Sequence, residues 1–94
     1  MKLLSITKST NPKKKWMAVF DNNGRSRTTH FGAQGMDDYT LTKNQEQRDR
    51  YLKRHHARED WTDPTTAGAL SRWILWNKPS LQDSIADYKK RFKL

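Results

Sequence analysis

At 94 residues and 33% hydrophobic side chains, with four Trp, three Tyr and three Phe, the chain has room for one domain. Its core must be small and largely aromatic, since each ring can remove about 150–250 Å² from water. Nineteen Lys and Arg against ten Asp and Glu give a formal charge of +9 and a pI near 10.1, a balance that attracts polyanions and nucleic acid first among them. The absence of Cys excludes disulfides and thiolate metal sites, and no apolar run approaches the ~20 residues of a membrane span or forms a signal-peptide core.

In chain order, Lys2 to Ser9 alternates loosely, with Leu4 and Ile6 on one parity, and reads as a half-buried strand. Asn11-Pro12 and the lysine run turn the chain. Lys15 to Phe20 follows as a second strand, Trp16, Ala18 and Phe20 opposing Met17 and Val19. Asp21-Asn22-Asn23-Gly24 is a hairpin turn because Asn and Gly tolerate positive φ. Arg25 to Phe31 completes a three-stranded antiparallel meander over residues 1–35, the most cationic third of the chain, with seven Lys and Arg and one acid.

The remainder, residues 36–94, reads as three helices. The first starts near Thr42, where Thr42 and Gln45 have capping-box spacing, and runs through Arg58 with Tyr51 and Leu52 as its apolar anchors. The second spans Asp63 to Pro79, with Asp63 as N-cap and Pro64 at the first helical position. It carries Trp73, Trp76 and the densest apolar run, and acts as the keel of the domain, with Arg72 and Lys78 as its outward contacts. The third opens on Ser80 and Asp83 and shows one apolar stripe, Leu81, Ile85, Tyr88 and Phe92. Strands followed by helices make the fold class α+β in a single domain.

Four groups of residues are candidates for chemistry. The basic hairpin, Lys13, Lys14 and Lys15 at one turn with Arg25 and Arg27 beyond the other, can follow phosphates, or can serve as a charged edge that blocks aggregation. On the first helix Arg48, Arg50, Lys53, Arg54, His55 and Arg58 form an arginine ridge, opposed by the reading in which Glu46, Asp49, Glu59 and Asp60 neutralise it. Arg72 and Lys78 lie beside tryptophans that could stack on bases but at helical spacing read as core. His55 with Glu59 and His56 with Asp60 are i, i+4 pairs of the kind that hold a metal, but no third ligand is evident. No Walker loop, Rossmann fingerprint or nucleophile elbow is present, so no cofactor and no catalytic residue is expected.

Several strings taken together resemble a known family: His30-Phe31-Gly32-Ala33, Gly35, Asp38-Tyr39-Thr40, Arg48, Arg50-Tyr51, Arg54-His55, Trp61, Asp63-Pro64, Gly68 and Ser71-Arg72-Trp73-Ile74-Leu75-Trp76-Asn77-Lys78-Pro79. The resemblance, over residue 14 to the C-terminus, is to small basic proteins of nucleocytoplasmic large DNA viruses of the marseillevirus, mimivirus and phycodnavirus kind. The chain departs from it at Gln34 and Met36. The resemblance implies a viral source and a place in the virion or in the viral factory or nucleus of the host cell, and carries over no catalytic residue. The expected function is sequence-non-specific DNA binding through phosphates, in genome packaging or organisation. The competing expectations are a virion assembly protein acting through a homodimer or another virion protein, and, further off, a metal-dependent nuclease.

Overall fold

In the computed structural model, which describes residues 1–94, the chain forms β1 (Lys2–Lys8), β2 (Lys14–Asn22) and β3 (Arg25–Ala33), then α1 (Tyr39–Thr42), α2 (Gln45–His56), α3 (Ala67–Leu70) continued by a π-helical turn (Ser71–Leu75), and α4 (Leu81–Phe92). The strands are antiparallel in the order β1-β2-β3, so the α+β arrangement read from the alternation and the turn residues is the observed one. The β2–β3 turn has positive φ at both Asn23 and Gly24, the primed geometry that matches strand twist. The Asp21 carboxylate accepts from the Gly24 N–H at 2.9 Å to close it.

Period-two alternation places Ala18, Phe20 and Phe31 on the face that packs against the helices. There they join Leu70, Ile74, Leu75, Trp76 and Tyr88 in one buried cluster. In β1 the expected pairing of Leu4 with Ile6 fails. A bulge between Leu3 and Ser5 shifts the register, so Leu3 and Ile6 pack on the core and Leu4 is 58% exposed. One extra residue inverts the parity of what precedes it.

The helical part differs from the expectation at two boundaries. Asp38 caps a separate single turn, α1, accepting from the Thr40 N–H, and Lys43 ends it in the left-handed region. Helix α2 then starts at Gln45 with Asn44 as N-cap, its side chain accepting from the Gln47 N–H; Asn is the stronger cap, and Thr42 instead bonds the Gln47 side chain. In the keel, Asp63 is not the N-cap. Its carboxylate accepts from the N–H and hydroxyl of Thr65 in a turn, and Thr66 caps the helix through the Ala69 N–H. After one α-turn the backbone widens, and the Trp76 N–H reaches back five residues to the Ser71 carbonyl. Across the widened turn three consecutive side chains, Ile74, Leu75 and Trp76, are buried, so this segment is covered on more than one side.

Beyond the widened turn, Ser80 caps α4 as its spacing with Asp83 predicts. Tyr88, on the α4 stripe, is fully buried and donates its hydroxyl to the Pro64 carbonyl at 2.6 Å, tying α4 to the loop before α3. Buried Ser84 accepts from the Lys78 N–H and donates to the Lys78 carbonyl, fixing the path out of the π-turn. No helix is long and apolar enough to cross a membrane.

Candidate nucleic-acid interface

Helix α2 has two faces of opposite use. Tyr51 and Leu52 pack on the core cluster. The Tyr51 ring stacks on Trp76 (4.3 Å between centroids, 7° between planes) and on His55 (4.1 Å, 23°), a column of three rings joining α2 to the π-turn. Burial, with Glu59 nearby, pushes the Tyr51 hydroxyl up to about 12, so it is a neutral phenol at physiological pH. On the opposite face Arg50, Lys53 and Arg54 are exposed, and Arg58, just past the helix, is exposed as well.

No carboxylate lies within ion-pair distance of Arg50, Lys53, Arg54 or Arg58. The ion pairs of the molecule are Lys15–Asp38, Arg48–Asp49, His55–Glu59 and Arg91–Asp87. The neutralised-helix reading therefore does not describe these four cations. Of the four acids expected to pair with them, Asp49 meets Arg48, Glu59 accepts from the Trp61 indole (2.8 Å) and meets His55 Nδ1 (3.0 Å), Asp60 accepts from the N–H and hydroxyl of Thr62, and Glu46 forms no ion pair.

Three of the cations expected at the interface are internal. Lys15 is directed inward: its ammonium meets the Asp38 carboxylate at 2.7 Å and donates also to the Met36 carbonyl, with side chains only 11% and 3% exposed. Arg48 donates from Nε to the carbonyls of Trp76 (3.2 Å) and Asn77 (3.0 Å), capping the end of the π-turn, and its guanidinium lies over Tyr39. Arg72, expected to point outward, instead donates to the Trp76 carbonyl (3.1 Å) and lies 4.1 Å from the Trp73 ring centre and 5.4 Å from that of Trp61. Its Nε is buried without a partner, and burial beside Arg48 and Arg91 pulls it down to about 10; it is still charged at neutral pH. Each of these replaces water with fixed acceptors or rings, so none is free for phosphate.

Lys14 takes the opposite course. It lines a cleft of about 420 Å³ between the end of the sheet, α2 and the π-turn, together with Arg54, His55, Glu59, Ser71 and Trp76. Lys13 is exposed at the adjoining turn. The structure thus brings Lys14 into one cleft with Arg54 at one end of the sheet. Arg25 and Arg27 are exposed at the other end, separated by the nine residues of β2, about 25 Å of strand. Lys78 is exposed beyond the π-turn.

The histidine pairs divide. His55 meets Glu59, whereas His56 turns to Trp61, edge to face at 5.7 Å, and His30 bonds the Ser9 hydroxyl at 2.7 Å. No three His, Asp or Glu side chains converge on a point that could hold a metal ion, so neither i, i+4 pair is joined by a third ligand.

Two structural positions behind the cleft escape a reading of the sequence for charge. Gly32 has φ +79, and a Cβ there would stand 2.8 Å from Leu75 Cδ1, so its glycine lets the sheet approach the π-turn. Asp38 is the buried counter-ion of Lys15, and only its Asp-x-Thr spacing, a local capping signal, marks it beforehand.

A family model for DUF5754, a family of unknown function, matches residues 4–55. The match takes in just over half of the chain, all three strands almost entire and α2 as far as His55, and the chain belongs to that family. No curated protein and no solved structure matches it.

Proposed function

We propose that this member of DUF5754 is a nucleic-acid-binding protein, DNA being the favoured partner, that grips phosphates with the outer face of α2 and the lysine turn beside it. The observation that carries the reading is the set of four cations on and just past α2, Arg50, Lys53, Arg54 and Arg58, exposed and without a carboxylate partner, with Lys14 in the same cleft as Arg54. Unpaired guanidiniums spaced by a helical turn suit bidentate contacts with phosphate oxygens. Binding is driven by release of condensed counterions and carries little sequence preference. Arg25 and Arg27 form a separate, weaker patch. The role is binding, not catalysis, and the viral resemblance of the sequence points to genome packaging or organisation within a virion or viral factory.

The tryptophan helix offers less to an assembly role. Ile74, Leu75 and Trp76 are buried, and the Trp73 ring is covered by Arg72, Arg91 and Phe92, so no free apolar stripe is left on that helix for a homodimer.

An anisotropy titration of labelled DNA against salt tests the reading. With about five phosphates engaged, log K falls with log salt at a slope of roughly −4 to −5, and an affinity indifferent to salt overturns it.

A further inference from the structure

The four tryptophans are not equally employed. Trp61 donates its indole N–H to Glu59 and Trp73 to the Trp61 carbonyl, and the Trp76 ring stacks on Tyr51. Trp16, near the start of β2, has no stacked ring, no cation over its face and no hydrogen-bonded indole N–H; one side of it rests on the core. It lines a second cleft, of about 500 Å³, with Lys8, Gln34, Thr40, Leu41 and Leu81. Leu41 is 64% exposed there. Lys8 has no carboxylate partner, and the Gln34 side-chain amide makes no hydrogen bond within the protein.

This cleft and the one lined by Lys14 and Arg54 share a wall, since Lys15 and Asp38 line both. The buried ion pair is thus the partition between two recesses at the same end of the sheet. On one side stand Lys14 and Arg54 with the carboxylates of Asp37 and Glu59, and the rings there, Tyr51, His55 and Trp76, are stacked on one another. On the other stand an unpartnered indole, apolar flanks, an unused amide with both a donor and acceptors, and one ammonium.

We propose that the Trp16 cleft receives an unpaired base of a single-stranded nucleic acid. The base stacks on the indole, its edge faces the Gln34 amide, and its phosphate meets Lys8 while neighbouring phosphates continue over Lys13 to Lys14 and Arg54. Every base offers a π face, so stacking adds affinity without sequence preference. Stacking between successive base pairs hides that face within a duplex, so the cleft discriminates single strands from double strands. The inference rests on the reading of the α2 face as a phosphate site, and adds to it the form of nucleic acid bound.

The test uses the full chain with a short oligothymidylate, an abasic strand of the same length and charge, and a duplex, following anisotropy and tryptophan fluorescence at low salt. The expected result is that oligothymidylate binds roughly 5- to 150-fold more tightly than the abasic strand and quenches fluorescence, while the duplex binds without that quench. Trp16→Phe keeps most of the discrimination and loses the quench. Lys8→Ala and Gln34→Ala, surface changes outside the core, each reduce it. Equal affinity for oligothymidylate and the abasic strand, both lost in salt, overturns the base-stacking inference and leaves the phosphate reading standing. No binding of any of the three at low salt overturns both.

Discussion

Arg48 and Arg54 sit on the same helix, six residues apart, and do opposite things. Arg48 faces the π-turn and spends its donors on the carbonyls of Trp76 and Asn77; Arg54 faces a solvent-filled cleft with no protein partner. The same division separates Lys15, sealed against Asp38, from Lys14, one residue earlier, which has no carboxylate partner. A cation that satisfies backbone carbonyls or a buried carboxylate belongs to the fold, and one left with only water belongs to the surface that a polyanion can take. Net charge does not tell the two apart, because both kinds count equally toward +9.

The comparison breaks or holds under substitution. Asp38→Ala leaves the Lys15 ammonium in a low-dielectric site without its counter-ion, and chemical denaturation is expected to show a loss of about 3–5 kcal/mol. The double change Lys15→Met with Asp38→Leu loses less than Asp38→Ala, since both charges go together. If the single and double variants were equally unstable, the ion pair would not be the source of the effect.

Reversing the outward set, Arg50→Glu, Arg54→Glu and Arg58→Glu together, is expected to weaken DNA binding on the order of a hundredfold and flatten the salt slope by about three. Stability moves by no more than about 0.5 kcal/mol per site, as for other surface changes. An unfolded triple variant would mean that these guanidiniums are structural after all. Gly32→Ala is smaller in effect, about 1–3 kcal/mol from the positive φ and the encroachment on Leu75, measured as a drop in melting temperature with DNA affinity retained by the folded protein.

The smallest effect concerns acid. The Thr65 N–H and then its hydroxyl hold the Asp63 carboxyl below its usual range, and the Asn77 amide does the same for Asp87. Folded-state values lowered in this way stabilise the protein above the ordinary carboxylate pKa of 3.8, and that contribution is lost as pH falls through the folded values. The denaturant midpoint is expected to fall below about pH 4, and Asp87→Asn to shallow the fall; because both groups are well solvated, the change is slight.

The local signals in the sequence were legible where one short segment decides its own conformation. The Asn23-Gly24 turn, the alternation of Ala18 and Phe20, and the Ser80 cap of α4 each depend on neighbours within a few residues. The β1 bulge and the π-turn were not legible, because each answers to partners distant in the chain: Phe20 and Val19 across the sheet for one, Gly32 and Tyr51 for the other. Among the candidate site residues, residue type and spacing grouped the arginines of one helix. They could not sort Arg48 from Arg50, since two residues on a helix differ by about 200° of direction and only the position of the rest of the molecule says which direction is inside.

By itself, then, the sequence determined a small, cysteine-free α+β domain with a strongly basic surface, because composition, alternation and capping act locally or in bulk. The tertiary structure alone decided which cations face inward, because that depends on where carbonyls, carboxylates and rings from other elements come to rest. It also decided that, of four tryptophans, Trp16 is the one with no stacked ring, no cation over it and no hydrogen-bonded indole N–H. Packing consumed the other three, and no property of an indole in isolation distinguishes them.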